Sequence, residues 1–147
     1  EVCKRHREKN KITYYEAQAK RRNELKGRLR TIYQSAKTRS KLKSIAFNLS
    51  IDDIHALWIK QDGKCAITRL QMVLDSNKRE KANSFIVSLD RIIPQLGYIS
   101  SNIQLICLAV NRMKWNHSPE DFEFWLRIIS REVLGNKETF NDYPGRE

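Results

Sequence analysis

The sequence predicts an α+β fold, built on a short strand–loop–strand–helix unit that is preceded by a long basic helix. Residues 84–89 (S-F-I-V-S-L) are rich in β-branched and large apolar side chains, which is typical of a strand. Residues 102–105 alternate like a second strand, and the apolar residues of 107–115 then recur at helical spacing. Residues 14–44 contain no proline and a single glycine, which favours one long helix or two shorter ones.

Positive charge is concentrated at one end of the chain. The formal net charge is +11, yet residues 1–46 hold 15 Lys or Arg against 4 acids, whereas residues 47–147 hold 13 of each. Such a segment is typical of a protein that binds a polyanion, most simply nucleic acid. We therefore expect residues 1–46 to be a nucleic-acid-binding arm, residues 47–135 a globular domain and residues 136–147 a tail. A solvated basic helix without a partner is the alternative for the arm.

The predicted arm has the pattern of an amphipathic helix. A T-x-x-E capping box predicts a helix start at Thr13, and a thin apolar stripe beginning at Leu25 is expected to pack on the body. Lys and Arg on the other faces gain affinity for phosphates by displacing condensed counterions. The expected phosphate contacts are Lys20, Arg21, Arg22, Lys26, Arg28, Arg30, Lys37, Arg39, Lys41 and Lys43. The tyrosines of this segment either stack on bases or pack against the body.

Two further helices are predicted from their capping signals. Ser50 with Asp53 forms a capping box, and the helix that follows is expected to end at Gly63. Ser118 precedes Pro-Glu-Asp, a strong helix start, and Gly135 is the expected end of that helix.

The densest pattern runs from Asp90 to Lys114 and reads D-R-I-I-P-x-x-G-Y-x-x-x-N-I-Q-L-I-C-x-x-x-N-x-x-K. It resembles the HNH nucleases, the ββα-metal class, and most closely their phage and mobile-element branch. Residues 63–68 (G-K-C-A-I-T) resemble that branch's G-x-C-x-x-T-G motif, with Arg69 in place of the last glycine, so the tightness of this turn is in question. The resemblance covers roughly residues 47–126. It implies a small ββα-metal core flanked by helices, and a Mg2+- or Mn2+-dependent endonuclease that hydrolyses DNA phosphodiester bonds, with double-stranded DNA the simplest substrate.

The resemblance also implies roles for individual residues. Asp90 and Asn111 map onto the metal ligands, and carboxylate and amide oxygens are ligands that Mg2+ accepts. Asn102 maps onto the asparagine that braces the loop between the strands, for which a purely structural role is equally open. Lys114, one turn after Asn111, would contact a phosphate. For Asp90 the alternative is a structural ion pair with Arg91.

Arg91 departs from the usual HNH pattern, which has a histidine there as general base. A guanidinium has a pKa above about 12 and cannot accept a proton from water, but it can neutralise charge on phosphoryl oxygens. The base is then either His117, for which an exposed histidine without a role is the alternative, or no protein group at all, with the metal alone activating the water.

The cysteines predict no disulfide framework, because three cysteines at distant positions favour reduced thiols and a cytoplasmic setting. Many HNH proteins bind a structural zinc through two C-x-x-C pairs. Here Thr68 and Val110 stand at the partner positions of Cys65 and Cys107, so we expect no zinc there and two small buried residues instead.

Several expectations concern the remaining segments and the choice between functions. Cys3 and His6 form a C-x-x-H pair, which is either chance or the second half of a zinc knuckle completed upstream. Residues 75–83 are expected to form a polar insertion or a DNA-facing edge. No apolar run is long enough to cross a bilayer, so no membrane partner is expected.

Two alternatives to the nuclease are a catalytically inactive nucleic-acid-binding protein on the HNH scaffold, such as a ribonucleoprotein component, and an assembly protein whose long helix binds a partner.

Overall fold

The computed structural model describes residues 2–74 and 82–135, and this part of the chain is α+β, as the sequence predicts. Its described residues form two compact units, residues 2–115 and residues 116–135. The helices are α1 (Val2–Lys43), α2 (Ile51–Lys60), α3 (Leu108–Lys114) and α4 (Pro119–Leu134). The strands are β1 (Phe47–Asn48), β2 (Val87–Arg91), β3 (Tyr98–Ile99) and β4 (Ile103–Cys107).

The β2–β4 pair is the centre of the first unit. The two strands are antiparallel, with Val87 opposite Cys107 and Arg91 opposite Ile103. Short 3-10 turns and β3 make up the connection between them, and α3 begins directly after β4. Because α3 returns across β2, the order is strand, loop, strand, helix.

Two predicted element starts are wrong. Residues 84 and 85 lie in a 3-10 turn, and β2 begins only at Val87, because the partner strand β4 ends at the opposite residue, Cys107. The capping box at Thr13 is not used as a helix start, since α1 begins at Val2 and neither glycine nor proline interrupts residues 2–13.

Gly97 fixes how the chain after α1 meets the β2–β4 loop. β1 and β3 are parallel, and the Tyr98 amide donates to the Ala46 carbonyl at 2.8 Å. A Cβ on Gly97 would lie 2.5 Å from that same carbonyl oxygen, and the Gly97 φ of +77° is itself unfavourable for other residues. Glycine is therefore required at this position.

The second half of α1 belongs to the hydrophobic core. Leu29, Ile32 and Ala36 are buried together with Ile54 of α2 and Leu105 of β4. The predicted packing of the apolar stripe is confirmed, and this half of the helix belongs to the first compact unit.

α2 is tied to the edge of β4 by one side chain. Ser50 and Asp53 form the predicted capping box, but the helix ends at Lys60, before Gly63. The side-chain amide of Gln61 then donates from Nε2 to the Leu105 carbonyl at 2.8 Å and accepts at Oε1 from the Leu105 backbone amide at 2.9 Å. It thus bonds to β4 as an extra strand residue would. This contact holds the end of α2 against the central strand pair.

The second unit contains α4. Ser118 caps this helix by accepting from the Asp121 amide, and Gly135 ends it in the left-handed conformation, both as predicted. Within residues 2–74 and 82–135, no helix is both long and apolar enough to cross a membrane.

Candidate functional site

The contact between α3 and β2 brings three of the predicted site residues together. Asn111 Nδ2 donates to Ser88 Oγ at 2.6 Å and to the Leu89 carbonyl at 3.3 Å. Lys114, one turn later, donates from Nζ to Asp90 Oδ1 at 3.3 Å. The sequence spacing thus places an acid, an amide and an ammonium group at one junction, because a seven-residue helix follows β4 directly and lies across β2.

Asp90 is an almost completely buried acid, with 5% of its surface exposed. Cross-strand pairing places it opposite Gln104, whose Nε2 donates to Asp90 Oδ2 at 2.9 Å. Burial raises the pKa of the Asp90 carboxyl above its ordinary value, although the hydrogen bond from Gln104 and the charge of Lys114 lower it in part. Among the described residues Asp90 forms an ion pair with Lys114 and none with Arg91, although the charge of Arg91 also lowers its pKa.

Lys114 does not reach outward to a phosphate as expected. It is 1% exposed, and its ammonium also donates to the Arg91 carbonyl at 2.9 Å. Lysine is almost never fully buried unless it is paired, and here Asp90 supplies the pair. In this conformation Lys114 acts on the Asp90 carboxylate, and a direct contact with a phosphate would require the ion pair to open.

Asn102 braces the loop between β2 and β4. Its Oδ1 accepts from the Ile93 amide at 2.9 Å, and its Nδ2 donates to the carbonyls of Ile93 at 2.8 Å and Gly97 at 2.9 Å. This buried side chain therefore uses both ends of its amide to close the loop, which is a positioning role.

Arg91 is held by the same loop. Its NH1 group donates to the Pro94 carbonyl at 2.7 Å, and its guanidinium carbon lies 5.2 Å from the centroid of the Tyr98 ring. Arg39 of α1 also contacts Tyr98, donating from Nε to its hydroxyl at 3.2 Å. The guanidinium of Arg91 thus links the end of β2 to a buried tyrosine.

Sequence reasoning missed Gln104, Ser88 and Tyr98 as parts of the site. Gln104 is a polar residue within the second strand, and this was a usable signal, because a polar side chain among apolar neighbours needs a partner. Ser88 stands two residues before the motif and Tyr98 inside it. Ser88 meets Asn111 through the packing of α3 on β2, and Tyr98 meets Arg39 of α1, and sequence spacing gives neither contact.

The predicted phosphate contacts on α1 differ in their surroundings: one contacts the body, two have side chains outside the described residues, and the others are exposed. Arg28 donates to the Val87 carbonyl at 2.8 Å and so contacts the body. Arg21 and Arg22 lie on α1, but their side chains are outside the described residues, as are those of Cys3 and His6. Residues 75–81 and 136–147 are also outside them. The exposed cations are Lys20, Lys26, Arg30, Lys37, Arg39, Lys41 and Lys43.

His117, the candidate general base, belongs to the second unit and is half-buried. Its role as the base stays a prediction, and the contacts described above all lie within the first unit.

Cys65 and Cys107 are free and buried, as predicted. Burial, together with the neighbouring Cys65, raises the pKa of the Cys107 thiol to about 11. Burial acts in the same direction on Cys65, but the hydrogen bonds of Thr68, Cys107 and Ile67 together outweigh it and lower the pKa of the Cys65 thiol. Arg69, which replaces the glycine of the motif, has a φ of +62°, so the turn keeps a left-handed residue.

The donor atoms at the α3–β2 junction fit Mg2+ better than a softer metal. Among the described residues, no group of three or more His, Cys, Asp or Glu side chains is placed to hold a metal. Mg2+ typically takes one or two carboxylates and completes its shell with water and phosphate. Asp90 offers a carboxylate, and Asn111 offers its amide oxygen, since its nitrogen donates to Ser88 and Leu89. Lys114 already supplies a positive charge at Asp90, so a cation would replace it there.

No protein-family model, no curated protein and no solved structure matches this chain.

Proposed function

We propose that this chain is a Mg2+-dependent endonuclease of the ββα-metal type that hydrolyses DNA phosphodiester bonds. The observation that supports it best is the junction of Asp90, Asn111 and Lys114 beside a strand pair followed by a helix. A buried acid–lysine pair is an inefficient way to stabilise a fold, because the loss of hydration offsets most of the attraction. Groups with a perturbed pKa in such surroundings are candidates for chemistry.

Each residue then has a distinct task. Asp90 and Asn111 would hold the cation, which when bound neutralises phosphate charge and makes a water more acidic. Lys114 favours the ionised form of Asp90 while no cation is bound. Asn102 keeps the loop after β2 in place, and the exposed lysines of α1 bind the DNA backbone without reading its sequence.

The test is the nicking of a supercoiled plasmid in Mg2+ by wild-type protein, Asp90→Asn and Arg91→Ala. Asp62→Asn is the matched control, because the Asp62 side chain is 83% exposed and pairs only with nearby Lys64 among the described residues. We expect Asp90→Asn to lose at least about 100-fold in rate, as when a group that stabilises the transition state is removed, while Asp62→Asn keeps the wild-type rate. DNA binding in a gel-shift assay should survive in both.

A second candidate function is supported by one specific observation. Asp90 and Lys114 are 5% and 1% exposed and already paired, as in a structural ion pair. A nucleic-acid-binding protein that uses this scaffold without catalysis, including one in a ribonucleoprotein, would show the same arrangement. Plasmid that stays intact with wild-type protein and Mg2+, although it is bound, would establish this second function and exclude the first.

A further inference from the structure

A cleft of about 420 Å3 lies between α1 and α2, and none of its lining residues belongs to the α3–β2 junction. A volume of this order falls within the range of small-ligand sites. Lys26 and Arg30 line it from α1, four residues apart and so on one helix face. Asp52 and His55 line it from α2, three residues apart.

The polar groups of the cleft favour an anion that also carries a hydrogen-bond donor. Lys26 and Arg30 bring cationic groups that only donate hydrogen bonds, and His55 adds an imidazole, against the single carboxylate of Asp52. Within residues 2–74 and 82–135, none of these four side chains makes an ion pair or a side-chain hydrogen bond. Their donors and acceptors are thus not committed to the described part of the fold.

The apolar part of the cleft suits a flat, weakly polar group. Leu29 and Ile51 both line the cleft, and of the two only Ile51, which is 38% exposed, offers apolar surface to a ligand. Gly27 lines the same cleft, and a Cβ built on it would meet no atom within 4 Å, so the helix surface is open at this point. A ligand that satisfies both parts combines an anionic group with a ring.

We propose that this cleft binds one nucleotide. Its phosphate lies against Lys26 and Arg30, its base lies on the exposed part of Ile51, and Asp52 accepts from the exocyclic amino group of the base. Carboxylates accept from the N4 amino group of cytosine, where uracil has a carbonyl. The nucleotide is either free or a unit of a strand bound along α1. Binding of a strand rests on the nucleic-acid binding proposed above. Neither the free nucleotide nor the strand needs the chain to cleave DNA.

Gly27→Leu is the most selective test of the cleft. Leucine is favoured over glycine inside a helix by about 0.8–1 kcal/mol, and the open space at Gly27 accommodates its side chain within the cleft. Gly27→Ala is the matched control, because it removes the same glycine but adds only one methyl group. The melting temperature of both variants should equal or exceed that of the wild type, which separates blocked binding from loss of fold.

The probes are cytidine monophosphate, uridine monophosphate and inorganic phosphate, measured by titration calorimetry without divalent metal. We expect cytidine monophosphate to bind wild-type and Gly27→Ala protein, and to bind Gly27→Leu and Arg30→Gln about tenfold or more weakly, the cost of a lost charged hydrogen bond. Cytidine monophosphate should bind about fivefold more tightly than uridine monophosphate, a modest base discrimination, and Asp52→Asn should remove this preference.

Three results would overturn the proposal: no binding of cytidine monophosphate, equal binding by wild-type and Gly27→Leu protein, or inorganic phosphate binding as tightly as the nucleotide. An octadeoxycytidylate strand distinguishes the two sources. If Gly27→Leu weakens strand and monophosphate alike, the occupant is a unit of a strand, and if it weakens only the monophosphate, the occupant is free. Repeating the titration with Asp90→Asn protein should give wild-type affinity for cytidine monophosphate. A protein that does not cleave DNA can therefore still be shown to bind the nucleotide in this cleft.

Discussion

Burial and the neighbouring polar groups shift the pKa of the Asp90 carboxyl in opposite directions. Burial raises its pKa above the ordinary value of 3.8, and Gln104 and Lys114 lower it only in part. Since the folded-state pKa is the higher one, protonation favours the folded state. The stability that Asp90 contributes is therefore fully present below the ordinary pKa and is lost as the pH rises through the folded-state pKa.

Replacement of Lys114 with methionine should magnify this dependence. The buried carboxylate would lose its charge partner, which typically costs about 3–5 kcal/mol, and the pKa of Asp90 would rise further. We expect the loss in the free energy of unfolding by urea to be larger at about pH 8 than at about pH 5, because protonation removes the unpaired charge at the lower pH.

Lys64→Met is the control for this measurement, since it breaks the exposed pair of Lys64 and Asp62 and should change stability little. A loss for Lys114→Met that is the same at both pH values would show that the Lys114 ammonium does not govern the Asp90 carboxylate.

Asn102 offers a second prediction at the level of one residue. Asn102→Ala removes three hydrogen bonds of a buried amide and leaves the Ile93 amide and two carbonyls unsatisfied, which should cost about 2–4 kcal/mol. Gln95→Ala, in the same loop but exposed, should be nearly neutral. Equal melting temperatures for these two variants would contradict the bracing role of Asn102.

Individual elements differ in how well local sequence predicts them. The helix starts at Ser50 and Ser118 follow from local capping groups, and the structure has both. The start of β2 at Val87 depends on where β4 ends, and no local pattern contains that information. The capping box at Ser50 starts a helix, whereas the one at Thr13 does not. The reason is that Ser50 follows the end of α1, but Thr13 lies inside it.

The same limit applies to the candidate site. Spacing was sufficient to place Asn111 and Lys114 on one face of a helix near Asp90. The burial of Lys114 and the contact of Gln104 with Asp90 arise from strand register and from the packing of α3 on β2, which are tertiary features.

The contact between the end of α2 and β4 depends on the side chain of Gln61, and a substitution there tests it. A glutamate there cannot donate to the carbonyls of Leu105 and Lys64, so Gln61→Glu should lower the free energy of unfolding by about 2 kcal/mol. Amide hydrogen exchange at Leu105 should accelerate because its acceptor is no longer held in place. Lys60→Glu, at the adjacent exposed position, is the control. Unchanged exchange at Leu105 in Gln61→Glu would show that α2 is held to β4 by other contacts.

At the scale of the molecule, α1 is both a core helix and a charged surface. Its apolar stripe packs on the strands, and Arg28 is committed to the Val87 carbonyl, whereas Lys41 and Lys43 are exposed. Basic residues on the same helix are therefore expected to differ in function. We expect those that face the body to stabilise the fold and those that face solvent to bind phosphates.

The salt dependence of DNA binding tests this division. Each phosphate contact contributes about −0.9 to the slope of log K against log salt concentration for duplex DNA, so Lys41→Gln with Lys43→Gln should reduce the slope by about 2. Arg28→Gln should instead lower the melting temperature with the slope unchanged. Fluorescence anisotropy with a labelled duplex measures the slope. A wild-type affinity that does not change with salt would favour a protein partner for α1.

The most direct test of the central claim is Mn2+ binding followed by electron paramagnetic resonance. If Asp90 and Asn111 hold a divalent cation, wild-type protein should bind Mn2+ in competition with Mg2+, and Asp90→Asn and Asn111→Ala should each weaken binding about tenfold or more. Asp62→Asn should bind like the wild type. Equal Mn2+ binding by wild-type and Asp90→Asn protein, or none by either, would contradict a metal site at this junction.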